Sequence, residues 1–73
     1  MIKRDFHGYN LADAIREVEL IIGDVRKKGI TESAEFITGH GAIRIAITEI
    51  FNSYHLTIHA QIGNNGTLVA TIE

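Results

Sequence analysis

Hydrophobic residues recur along this chain with two different periods. From Leu11 the apolar positions Leu11, Ile15, Val18, Ile22 and Val25 advance in steps of 4, 3, 4 and 3, which is one face of an α-helix. Asn10 stands where an N-cap belongs, and Asp13 puts a carboxylate at the positive end of the helix dipole. Arg26, Lys27 and Lys28 set cations in the last turn, and Gly29 follows where a left-handed residue closes a helix. Gly23 costs this helix about 1 kcal/mol, which the other signals outweigh. A second helix follows Gly41, where Ile43, Ala46 with Ile47, and Ile50 with Phe51 repeat the spacing as far as Tyr54. Its apolar residues are so dense that it is expected to be more buried than the first.

Elsewhere the period falls to two. Leu56, Ile58, Ala60 and Ile62 alternate with Thr57, His59 and Gln61, the pattern of a half-exposed strand. Gly63-Asn64-Asn65-Gly66 reads as a turn, because Gly and Asn accept positive φ. Leu68 to Ile72 then forms a closing strand, Ala34 to Thr38 a short one between the helices, and Lys3 to Phe6 the first. The order is βαβαββ. Two crossovers and one hairpin predict a two-layer α/β sandwich of the α+β type. Its four-stranded mixed sheet carries both helices on one face, with the first three strands parallel and the last reversed.

Composition narrows this further. At 73 residues the chain holds one domain, spanning 1–73. It has no cysteine, which removes disulfides, thiolate zinc sites and a cysteine nucleophile. With 45% hydrophobic residues, apolar packing can carry the core. A formal net charge of −2 argues against a broad basic surface for nucleic acid, and 22% charged residues against a disordered acidic tail. No apolar run approaches the ~20 residues that span a bilayer. Met1 to Asp5 shows no signal-peptide pattern, so a small cytoplasmic domain without membrane contact is expected. The oligomeric state stays open, a monomer included.

In sheets of this kind, ligands gather at the carboxyl ends of parallel strands. Three loops share that rim: Asp5 to Tyr9, Thr38 to Gly41, and Gly63 to Gly66. Asp5 and His7 lie two apart and point the same way on a strand. A carboxylate beside an imidazole can orient it, share a metal with it, or act with it as an acid–base pair. The plainer alternative pairs Asp5 with Arg4 or Arg44 and leaves His7 bonded to loop backbone. In Thr38-Gly39-His40-Gly41 the glycines let backbone come close to a ligand. The helix N-terminus that follows offers unpaired N–H groups to a phosphate, and Arg44 adds a charged fork one turn in. The plainer alternative is an ordinary turn whose glycines serve only their φ angles. No Walker lysine is present. His59 reads as a solvent-facing strand residue, His55 as a helix-end residue, and Arg26 to Lys28 as dipole compensation. No histidine pair has zinc spacing.

These residues also resemble a family. Asp5-Phe6-His7-Gly8, followed at once by a capped amphipathic helix, resembles the Leu-Asp-x-His-Gly signature that opens the Smr (small MutS-related) domain. Thr38-Gly39-His40-Gly41 followed by Ile43-Arg44 resembles its second motif, in which Gly-x-Gly leads into a helix with an early arginine. Asn64-Asn65-Gly66-Thr67-Leu68-Val69 is similar to its glycine-then-strand ending. The likeness covers nearly the whole chain. Arg4 replaces the usual leucine, and His40 stands where a lysine or arginine is common.

The resemblance implies a fold like the C-terminal domain of translation initiation factor three. It also implies nucleic-acid binding with nicking endonuclease activity on DNA, or RNA cleavage in some members, and links to recombination control and DNA repair. Asp5 and His7 fall on the first motif and Gly39, His40, Gly41 and Arg44 on the second, with Asn64 and Asn65 as further contacts. In an endonuclease, His7 serves as general acid or base oriented by Asp5, Gly39 to Gly41 and Arg44 hold the scissile phosphate, and Mg2+ or Mn2+ at Asp5 is a variant. In a binding module the same rim grips phosphates of structured or single-stranded nucleic acid without chemistry. A protein-interaction domain would instead use the polar sheet face around His59.

Overall fold

The computed structural model describes all 73 residues, Met1–Glu73. Its elements are β1 (Ile2–Asp5), α1 (Leu11–Lys28), β2 (Glu32–Ile37), α2 (Ala42–Ser53), β3 (Thr57–Gln61) and β4 (Asn64–Ile72), in the expected βαβαββ order. The caps of α1 are those the sequence indicates. The Asn10 side chain accepts from the Asp13 N–H at 2.8 Å, and Gly29 closes the helix at φ 67°. Its buried stripe is Ala14, Val18, Ile21, Ile22 and Val25. Leu11, expected on that face, lies in the first turn and stays 43% exposed.

The sheet order is β1-β2-β4-β3. β1 and β2 pair in parallel, and β4 runs antiparallel to both β2 and β3. The first three strands therefore share one direction. The register sets the two faces, because paired residues point the same way. One row is Ile2, Ala34, Ala70 and Ile58, and the next is Arg4, Phe36, Leu68 and Ala60. Both rows face the helices. The opposite face carries Lys3, Glu35, Val69 and His59 in one row and lies open. There Lys3 approaches Glu35 at 3.9 Å, and Gln61 donates to the same carboxylate at 3.1 Å. His59 is exposed on this face, as its alternation indicates.

Two expectations fail at the hairpin and over α2. The turn is Ile62-Gly63, with Gly63 at φ 78°, and β4 already begins at Asn64. Ile62 is thus 99% exposed and not a core strand residue. The reason is a register shift: Ala60 pairs with Leu68, but Gln61 pairs with Asn64, so β4 bulges over residues 65–67. The second helix has the smaller share of fully buried residues, most of its remaining apolar positions being half-buried. Only Ile47 and Phe51 of α2 are buried, against five residues of α1. It packs on α1 and on the edge strand β3, and no further layer covers its outer side. Ile45 is left 56% exposed.

The core is one apolar cluster between the sheet and the helices, centred on Phe36. The Phe36 ring lies 5.8 Å from both Phe6 and Phe51, joining β2 to the β1–α1 loop and to α2. Arg4 faces the helices too, but on the edge strand it reaches Glu17 of α1 at 3.3 Å and remains partly in solvent. The Phe36→Ala substitution is expected to cost about 3–5 kcal/mol, most of what a domain this small holds in reserve. Leu20→Ala, at a site 63% exposed, should change stability by less than about 0.5 kcal/mol. Urea denaturation of the two variants against the parent checks both.

Candidate functional site

Two turns meet at the carboxyl ends of β1 and β2. Past β1 the parallel ladder runs on for one residue, the Phe6 N–H donating to the Ile37 carbonyl at 2.9 Å. Phe6 is buried with its ring edge-on to Tyr9, centroids 5.0 Å apart. The Tyr9 N–H returns to the Phe6 carbonyl at 3.0 Å, closing a turn through His7 and Gly8. Gly8 sits at φ 84°, a conformation that strains any L side chain. The buried phenylalanine thereby fixes the backbone on which His7 is mounted.

Asp5 anchors the same turn. Its carboxylate accepts the backbone N–H of His7 at 2.9 Å. This differs from the carboxylate–imidazole pair that the spacing suggests, and from the ion pairs with Arg4 or Arg44. Asp5 orders the loop that carries His7. Asp5, His7, Ile37, Thr38 and Gly39 line a cleft of about 180 Å³. The two residues of the first motif and the opening of the second thus share one concavity. Ile37 and Thr38 were not singled out as site residues in the sequence. For Thr38 the signal was present, since it opens the Thr38-Gly39-His40-Gly41 motif.

The second turn is held by the third. The carbonyl of Gly66 accepts the N–H groups of Thr38 at 2.9 Å and Gly39 at 3.0 Å, with the Thr38 hydroxyl at 3.3 Å. Gly39 therefore spends its amide on the β4 bulge, not on a ligand. Asn64 turns its side-chain oxygen onto the Gly66 N–H at 3.1 Å, and the Asn65 carbonyl accepts from Arg44 Nε at 3.0 Å. Both asparagines stand at the rim as parts of its scaffold. His40 Nε2 lies over Gly66, where an added Cβ would sit 3.5 Å from it. The exposed imidazole of His40 is thus turned toward the bulge and does not line the cleft with His7.

What stays open is the start of α2. Gly41 occupies the N-cap and no side chain caps the helix. The amides of its first turn have no intrahelical partners, and they carry the positive end of the dipole. Arg44 sits in that turn with its guanidinium tethered through Nε only, leaving its terminal nitrogens unassigned. By contrast, two of the three cations at the end of α1 are engaged within the chain. Arg26 lies 4.9 Å over the Tyr54 ring and donates to the Glu73 carbonyl, and Lys28 pairs with Asp24. His55, just past α2, has φ 58° and is exposed.

A divalent cation does not find a ligand set here. Asp5 is the one carboxylate on the cleft, and no three His, Asp or Glu side chains meet closely enough to hold an ion. No helix is long and apolar enough to cross a membrane.

No protein-family model and no curated protein matches this sequence. Among solved structures, the Smr domain of Thermus thermophilus MutS2 has the same fold, with a TM-score of 0.81 at 21% sequence identity. The superposition covers 100% of this chain and 99% of that one. The chain therefore has the Smr-domain fold from end to end.

If Asp5 acts as the anchor of the His7 turn, Asp5→Ala should release the His7 amide and Asp5→Asn should retain it. The expected readout is faster hydrogen exchange at His7 in the alanine variant alone, with a stability loss of about 0.5–1.5 kcal/mol.

Proposed function

We propose that this domain binds the sugar–phosphate backbone of nucleic acid, seating one phosphodiester where the cleft meets the start of α2. The observation that carries the reading is that the start of α2, which no side chain caps and whose first turn bears Arg44, follows within a few residues of the cleft residues Thr38 and Gly39. Unpartnered amides at the dipole's positive end form an anion site, and a guanidinium strengthens it. The fold shared with the Smr domain of MutS2 supports the same direction. With a net charge of −2 the chain has no broad cationic surface, so the grip is local. Binding then involves two or three phosphates, and log affinity falls against log salt with a slope of about −1.5 to −2.5.

Hydrolysis of the held phosphodiester is the second reading, favoured by one observation: His7 and Asp5 line the same cleft. In it the His7 imidazole takes a proton from an attacking water, the water oxygen bonds to phosphorus, and the leaving oxygen departs with a proton from solvent. Asp5 contributes by holding the His7 backbone in place. No step is routed through a metal.

Titration of a labelled oligonucleotide at several salt concentrations tests the first reading. Arg44→Ala should weaken binding about tenfold and reduce the salt slope by roughly one, with its melting curve recorded alongside. Binding that ignores salt and Arg44 alike would remove the assignment. For the second reading, nicking of supercoiled plasmid should disappear in His7→Ala while oligonucleotide affinity changes less than threefold. Equal nicking by parent and variant would remove His7 from the mechanism, and binding without any nicking by the parent would leave a binding module.

A further inference from the structure

The two edges of the sheet are treated very differently. β1 is one edge, and three of its four residues, Lys3, Arg4 and Asp5, are charged. Charges on an edge strand are how sheets prevent further pairing. β3 is the other edge, with the sequence Thr-Ile-His-Ala-Gln. No Asp, Glu, Lys or Arg occurs from Ile50 through Ile72, and the chain has no proline. The backbone groups on the outer side of β3 have no partner strand, and nothing in the sequence guards them.

Apolar surface accumulates on the same side. Ile62, at the hairpin that ends β3, is 99% exposed. α2, which packs on β3, leaves Ile45 56% exposed and buries less than its sequence promises.

We propose that the β3 edge pairs antiparallel with β3 of a second copy of this chain, joining two four-stranded sheets into one of eight strands. The choice of a second copy rests on charge and register. An isologous contact sets each residue against its mate about a two-fold axis, so like charges on the strand would oppose one another. β3 has none, whereas β1 would confront its own cations. Centred on His59, the pairing sets Ile58 against Ala60 of the other copy and Thr57 against Gln61. It continues to Ile62 against Leu56, which covers the most exposed apolar side chain of the molecule. The cleft is lined by Asp5, His7, Ile37, Thr38 and Gly39 at the ends of β1 and β2, away from this edge, so the pairing leaves it open.

Single-cysteine variants test this cleanly, because the chain has no cysteine of its own. In the proposed register the two copies of residue 59 face each other across an antiparallel pair, about 4.5–5.5 Å between Cα atoms, within disulfide reach. His59→Cys should crosslink under mild oxidation at least tenfold faster than Lys3→Cys on the other edge. Sedimentation of the parent chain should show the mass of two chains at high concentration and of one on dilution. His59→Lys and Ile62→Lys, both at exposed positions, should remain single chains throughout with far-ultraviolet dichroism like that of the parent. A parent that stays at the mass of one chain up to ~1 mM, larger ill-defined aggregates, a β3 edge that pairs only with added peptide, or equal crosslinking at residues 3 and 59 would each overturn the proposal.

Discussion

The Gly66 carbonyl, accepting both the Thr38 and Gly39 amides, is the contact on which the rim depends. It exists because β4 lies between β2 and β3 and departs from its β3 register just where β2 ends. A regular hairpin would have kept Asn65 and Gly66 on the β3 ladder. The bulge bends them toward the start of α2, where one carbonyl holds the turn and the next holds Arg44. Loop, helix start and guanidinium are thereby set relative to one another by backbone groups, with little dependence on which side chains flank them.

The other half of the rim is positioned from below. Phe6 is buried and in aromatic contact with Phe36, whose other neighbour is Phe51 of α2. The line of rings connects the His7 turn through β2 to α2. Motion of the His7 turn would disturb this line of rings, in which Phe6, Phe36 and Phe51 each pack against a neighbour. The Asp5 carboxylate and the φ 84° glycine then set the last details of the His7 backbone.

The element order, the strand directions and the caps of α1 were legible in the sequence, because each rests on local chemistry: an Asn that caps, a Gly that takes positive φ, an apolar period of 3.6 or 2. The three-loop rim was legible too, since topology alone brings those loops together. Other features were decided by non-local geometry. The alternation of β3 continues through Ile62, but the register shift makes that residue part of the turn. The spacing of Asp5 and His7 places both on one side, yet cannot say that a backbone amide wins the carboxylate. The density of apolar residues in α2 was read as burial, when the helix borders an edge with no layer beyond it. Arg4 lies on the helix-facing side of β1, and its place on an edge strand lets its guanidinium leave the core and meet Glu17.

One face of the sheet is bare, and this shapes how the domain responds to heat. Helices cover only one side, so the open face, with Lys3, Glu35 and His59, is already hydrated in the folded state. The apolar surface that unfolding newly exposes therefore comes from the one layer between sheet and helices, and the heat-capacity increment, which scales with that surface, is set by this layer alone.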